Sequence, residues 1–344
     1  MTTLLRSRRS AARALSALAL AGVTALTASC SSDSDSDSGS DSTAAASSET
    51  RTVTVGEDTV EIPTDPQSIV ACGYAVLPLI QADANLSGVC EWTREIDNMN
   101  PEDLATYEAL PKLAVDGDVS TLDYEKLAEV KPDLIIMGVP ARAKEMVNMD
   151  QLQAIAPVVF LGPTAPSQWR TLGEQYADFA NVSDNYGEFR DQYEARAQEL
   201  SAKYADTLGT KTFGGVCDRC GTDPGYYFRE YASSYTTNLF DDLGLQFPGT
   251  PVVPEDEHGE IVSVENLATN LGTVDVIVYG VGPDGTESPE LAALIASPAW
   301  QALPAVQAGN VVKVKHGNAA TFETALLALD SIDEGLTSFP AAKQ

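Results

Sequence analysis

From Asp184 to Leu208 the apolar residues fall at Tyr186, Phe189, Tyr193, Ala197, Leu200, Tyr204 and Leu208. Steps of three and four place all seven on one face of a single helix. Asp184 suits the first turn, and no proline interrupts the run before Gly209 closes it. Such a helix is roughly 35 Å long at about 1.5 Å per residue, the width of a small domain. Blocks of alternating strand-like and helix-like segments lie on either side. A long surface helix of one large domain has the same period, but two similar flanking blocks favour a strut between two α/β lobes, belonging to neither core.

The chain of 344 residues is long enough for two such lobes. Its first 29 residues read as a signal peptide: arginines up to Arg13, an apolar run from Leu15 to Leu26, then small residues ending at Ser29. Leu26-Thr27-Ala28-Ser29-Cys30 resembles a bacterial lipobox, although Thr27 stands where leucine is usual, so Cys30 is the expected lipidation site. Residues 30–50 are rich in Ser and Asp and lack large apolar side chains, which predicts a solvated tether. Removing the four arginines before residue 30 takes the formal charge from −29 to −33. A surface so acidic repels nucleic acid and anionic lipid. The lipid anchor is then the sole membrane attachment, at the outer face of the cytoplasmic membrane.

In the first lobe, residues 51–163, strands are expected over Ser68–Cys72, Leu86–Trp92, Asp133–Gly138 and Val158–Gly162. Helices are expected over Ala75–Ala82, Thr121–Val130 and Arg142–Ile155. This alternation predicts a mostly parallel sheet with flanking helices, whose ligand lies beyond the carboxyl ends of the strands. Tyr74, Trp92, Arg94 and Arg142 occupy those tips. Two aromatics and two arginines suit an aromatic, anionic ligand.

Gly117-Asp118, the run Leu122-Asp123-Tyr124-Glu125-Lys126-Leu127, and Val130-Lys131-Pro132-Asp133-Leu134-Ile135-Ile136 resemble the signature of solute-binding proteins for ferric siderophores, haem and cobalamin. Val262 to Leu267, Val274 to Val278 and Pro298 to Val312 continue that resemblance, which spans about residues 52–340. It implies two Rossmann-like lobes joined by one long rigid helix, a cleft between them, and delivery of the ligand to an ABC permease and its ATPase. It also implies a docking glutamate on each lobe, here Glu125 and Glu265. Each lies near the start of an amphipathic helix, where a carboxylate also favours the helix dipole.

A helical connector, residues 164–209, leads to the second lobe, residues 210–344. There strands are expected over Thr212–Cys217, Asp275–Gly280 and Asn310–Lys315. Helices are expected over Ser234–Leu243, Ile261–Leu271, most of Pro289–Val306, and Thr321–Phe339. Arg219, Tyr226, Tyr227, Arg229, Tyr231 and His316 are the candidate ligand residues. The density of rings around Gly225 is high for a chain with 7% aromatics. Alternate rings of an edge strand would explain about half of them.

Only His258 and His316 are present, too few for a zinc or manganese receptor. His316, Tyr226 and Tyr227 are the residues that could ligate haem axially. Cys72 and Cys90 end neighbouring strands and suit a bridge. Cys217 and Cys220 form a C-x-x-C motif compatible with a local disulfide, a redox pair or half of a metal site. No phosphate loop, nucleophile elbow or zincin motif occurs. The expectation is a monomeric binding lipoprotein, without cofactor or catalysis, for an anionic ferric siderophore. Haem or cobalamin is the alternative ligand, and an extracytoplasmic thiol oxidoreductase the rival class.

Overall fold

A computed structural model describes residues 49–218, 220–249 and 258–338. The expected signal peptide, Cys30, most of the tether and Arg219 lie outside the described residues. The first elements, β1 (Thr50–Val55) and β2 (Asp58–Pro63), form a hairpin absent from the sequence reading. Its two-residue turn places Gly56 at φ 63°. There follow β3 (Ile69–Gly73), α1 (Val76–Gln81), β4 (Leu86–Val89), α2 (Pro101–Ala109), α3 (Tyr124–Glu129), β5 (Leu134–Gly138), α4 (Met149–Ile155) and β6 (Val158–Phe160). The four strands β3 to β6 form a parallel sheet in the order β4-β3-β5-β6. Every residue of β3 and β5 is buried, because helices cover both faces of the sheet. The helix expected over Arg142–Ile155 is in two parts. A 3-10 turn, Ala141–Met146, ends before Asn148, whose side chain accepts from Gln151 N and starts α4 afresh.

Next come α5 (Trp169–Phe179) and α6 (Ser183–Leu208), the long helix of the sequence reading. All seven residues of its stripe are buried. They do not stand apart from the lobes, as a bare strut would. They pack into one cluster with Phe213, Val278, Val312 and the residues of α12 (Phe322–Ser338). Arg196 and Lys203 on α6 pair with Asp333 on α12, at 3.0 and 2.6 Å, and Tyr204 Oη donates to the same carboxylate. At its other end α6 holds the first lobe, where Asn185 Nδ2 donates to Ala82 O at 2.9 Å. The connector is therefore rigid because it is also a wall of the second core.

The second lobe contains β7 (Phe213–Val216), β8 (Tyr226–Glu230), α7 (Thr237–Asp241), β9 (Gly259–Ser263), α8 (Leu267–Leu271), β10 (Val276–Val281), α9 (Pro289–Ala296), α10 (Pro298–Gln301), α11 (Pro304–Gln307) and β11 (Val311–Lys315), and ends with α12. Its sheet has the order β11-β10-β7-β8-β9. The strands β11, β10 and β7 are parallel, and β8 is antiparallel to both its neighbours. The helix expected from Ile261 is a strand as far as Ser263, where β9 pairs along β8 with Ile261 turned to solvent. A 3-10 turn and the short α8 follow. Pro298 and Pro304 each open a new helix and split the stretch 289–306 into three.

Candidate functional site

Strands β3, β5 and β6 deliver their following residues to one wall of a cleft, and β7, β10 and β11 deliver theirs to the other. Gly73 has φ 63°, and a Cβ there would sit 2.5 Å from Gly138 O. Only glycine lets β3 turn so close to β5, and Tyr74 N then donates to Gly138 O. This fixes Tyr74 at the cavity edge. Trp92 is anchored by its own backbone N–H, which donates to Tyr107 Oη at 2.8 Å. The indole meets the Tyr74 ring edge-on at 5.0 Å, and Gly117 lies under it at φ 74°, where a Cβ would come within 3.0 Å of the ring. Arg94 Nη1 donates to Tyr74 Oη at 2.9 Å, and its guanidinium stands 5.7 Å from both rings. Burial pushes the Tyr74 hydroxyl above its usual range, with Arg94 opposing.

These residues, with Arg142, Met146, Pro163 to Pro166, Tyr235 and His258, line a cavity of about 360 Å³. That is the size of a small-molecule site. Neither Arg94 nor Arg142 has a carboxylate partner among the described residues, in a chain where acids outnumber bases 50 to 21. Arg94 feels the neighbouring Glu95 through space without forming an ion pair with it, so both guanidinium groups keep donors to offer a ligand. A second, smaller cavity of about 110 Å³ adjoins the first at Arg94 and is closed from the other lobe by Asp218, Thr236, Gly280 to Pro283 and His316. His316 Nδ1 lies 2.9 Å from Asn98 Oδ1, and Asn100 Nδ2 donates to Glu323 Oε1 at 3.1 Å. Both contacts join the lobes across the cleft.

The structure thus gathers Tyr74, Trp92, Arg94, Arg142 and His316 along the cleft. It does not bring Tyr226, Tyr227, Arg229 or Tyr231 to the large cavity. Tyr227 is core, packed with Val216, Ile277, Tyr279 and Trp300. Tyr231 is buried and donates to Glu260 at 2.6 Å, while Arg229 lies 3.6 Å from Glu260 and over the Tyr231 ring. Tyr226 is 50% exposed and lines outer cavities against α9. The aromatic density there is mostly strand alternation, in an inner strand rather than an edge one. Of the three alternatives considered as an axial haem ligand, His316 borders the cleft, whereas Tyr226 and Tyr227 line a separate cavity against α9. Tyr235 and His258, which sequence reasoning missed, enter the cleft from the loops flanking α7, with Phe228 of β8 behind them.

The cysteines pair as Cys72–Cys90, with Cα atoms 4.6 Å apart, and Cys217–Cys220, at 5.9 Å. Glu125, in the first turn of α3, and Glu265, in the 3-10 turn Val264–Asn266, are both exposed and unpaired with any cation among the described residues. No helix among them is long and apolar enough to cross a membrane.

The sequence matches the periplasmic binding protein family over residues 72–316. The chain belongs to that family. No curated protein matches it significantly. Among solved structures it is similar to the siderophore periplasmic binding protein from the fuscachelin gene cluster of Thermobifida fusca. That match has 27% identity and a TM-score of 0.66, over 81% of this chain and 99% of that one. The FhuD protein from S. pseudintermedius shares 21% identity at a TM-score of 0.64, over 85% and 99% of the two chains. Staphylococcus aureus SirA, solved with staphyloferrin B, shares 17% identity at 0.63, over 83% and 98%. A periplasmic binding protein captures a substrate outside the cytoplasm rather than transforming it, so the cleft is read as a binding site without catalysis.

Two buried acids in this binding protein make its stability depend on pH. Burial pushes Glu95 up to about 7, with Asn98 and Arg94 opposing. Burial likewise pushes Glu230 up to about 7, against hydrogen bonds from Thr237 and Thr236. The folded chain therefore holds protons that the unfolded chain releases between about 4.5 and 7. Stability is greatest on the acid side of that window and falls as pH rises through 7, by on the order of 3 kcal/mol per group. Asp275 and Asp333 are held low, Asp275 chiefly by Thr212 and Asp333 by Lys203, Tyr204 and Arg196 against its burial; they act only at more acid pH. The melting temperature should be higher at pH 5 than at pH 8, and Glu230→Gln should flatten the difference. A melting temperature that rises from pH 5 to pH 8 contradicts this.

Proposed function

We propose that this periplasmic binding protein captures an anionic ferric siderophore between its lobes and delivers it to an ABC permease and its ATPase. The carrying observation is the cleft with two aromatic rings and two arginines that form no ion pair with a carboxylate among the described residues. Rings give broad contact area, and guanidinium groups suit catecholate or carboxylate oxygens. The relative from Thermobifida fusca, described as a siderophore binding protein, supports the same ligand class. The iron arrives as cargo inside the chelate. The protein itself needs no cofactor, acts as a monomer, and is held at the outer face of the membrane by a lipid on Cys30. Glu125 and Glu265 are its docking contacts with the permease.

Tryptophan fluorescence tests the ligand reading. A ferric catecholate should quench emission stoichiometrically, and Trp92→Phe should remove most of the quench. Trp169 is buried against Tyr193 and Phe322, and Trp300 lies in the outer core, so Trp92 is the indole that lines the cleft. A panel without quenching by any ferric catecholate or carboxylate chelate rejects the proposal.

A further inference from the structure

The binding reading leaves one feature of the cleft unused. After β4 the chain forms a 3-10 turn, Thr93–Asn98, in which Arg94 faces the cleft and Glu95 is buried. Asn98 Nδ2 donates to Glu95 Oε2 at 3.2 Å, and Asn98 Oδ1 lies 2.9 Å from His316 Nδ1 in the other lobe. An amide has one donor end and one acceptor end. With the donor end given to the carboxylate, the acceptor end meets the imidazole, so Nδ1 carries the proton and Nε2 keeps its lone pair. Nε2 has no hydrogen bond among the described residues. His316 sits at φ 58° directly after β11, and its ring borders the smaller cavity. Burial lowers its pKa, reinforced by Lys315, which favours the neutral ring and leaves it a tautomer to choose.

We propose that Glu95, acting through the amide of Asn98, sets which tautomer His316 presents to the cleft, and hence whether that wall accepts or donates a hydrogen bond. Ionised, Glu95 requires the arrangement just described. On taking a proton from solvent, Glu95 becomes a donor. The amide then turns over so that Oδ1 accepts from the carboxyl O–H and Nδ2 donates to His316 Nδ1. The ring loses its proton from Nδ1 to solvent and gains one at Nε2, which now donates. The groups around the relay are few. Arg94 and Tyr74 face Glu95, while Arg94, Asp97, Asp218 and Lys315 stand around His316. Glu95, pushed up to about 7 by its burial, changes state near neutrality. The acid state suits anionic ligand oxygens, and the alkaline state suits ligand O–H or N–H groups. This consequence for ligand choice rests on the siderophore reading; the relay does not.

The test is nitrogen-15 NMR of the ligand-free chain labelled at histidine, with His258→Gln used to assign the two rings. His316 should pass from mainly Nε2–H at pH 6.5 to mainly Nδ1–H at pH 8.5. Glu95→Gln should abolish that change, and so should Asn98→Leu, which leaves the acid in place. A wild-type tautomer that does not change, or one that still inverts in both variants, overturns the proposal. In a second arm, the affinity for ferric tris(2,3-dihydroxybenzoate) is compared at the two pH values. The acid preference should shrink at least threefold in Glu95→Gln. If the tautomer inverts as expected but the chelate does not bind, the relay stands and the siderophore reading fails.

Discussion

Arg94→Ala should weaken binding of an anionic ferric chelate about tenfold, and Arg94→Ala with Arg142→Ala about a hundredfold. A charge-assisted hydrogen bond contributes about 1.5–3 kcal/mol, and about 1.4 kcal/mol is a factor of ten. Arg94 is exposed to solvent in the open cleft, which argues for the lower end of that range. The Coulomb origin has a signature that lost packing lacks. A neutral ferric hydroxamate should lose less than about threefold from the same substitutions, since it has no net charge to offset. Tyr74→Phe separates the two effects of Arg94. It keeps the ring against Trp92 and removes only the hydroxyl that accepts from Arg94. Titrations followed by Trp92 emission read all three variants. Equal losses for charged and neutral chelates would mean that the arginines shape the cavity and do not select its charge.

The first lobe and the connector were legible because their signals are local. The α6 stripe repeats over many residues, so its period could not be confused with a strand's, and the structure extends it by one residue, Ser183. In the first sheet, continuous apolar runs marked β3 and β5, and the residues after parallel strands fell at the cleft as that topology requires. The site residues that were misplaced depended on the second sheet. Its antiparallel β8 is an inner strand, so Tyr227 is a buried side chain of the sheet, and Tyr231, just past its end, is buried against Arg229 and Glu260. Tyr235 and His258 are separated from the other cleft residues by long stretches of sequence, and they arrive only through packing on Phe228. Glu95 gave no sign of itself. Among the fifty acidic residues of the chain nothing local marks the one that the fold encloses. The stretch expected as mostly one helix over 289–306 is split at Pro298 and Pro304, because a proline can open a helix but not continue one.

Glu125→Ala with Glu265→Ala should abolish uptake of the iron chelate by cells while its affinity for the isolated protein stays unchanged. Each carboxylate is exposed and sits in the first turn after a capping side chain, Asp123 for one and Ser263 for the other. Removing either from its helix start costs about 0.3–1 kcal/mol of stability at most, so the melting temperature should barely move. Neither lines the cleft, so the chelate has no reason to notice. The loss appears only when a partner uses both. One glutamate on each lobe of a rigid body gives two joined contacts, and a second contact on the same body multiplies the first without new surface. A single substitution should therefore leave measurable uptake, and the pair should remove nearly all of it. Charge supports the same direction, since a protein this acidic approaches a permease most readily at a basic face. Acidic substitutions of basic residues on the permease's docking face, combined with Glu125→Arg and Glu265→Arg, should restore part of the transport. Weaker chelate binding by the double alanine variant would place the glutamates in the capture step, and unimpaired uptake would place the docking contacts elsewhere.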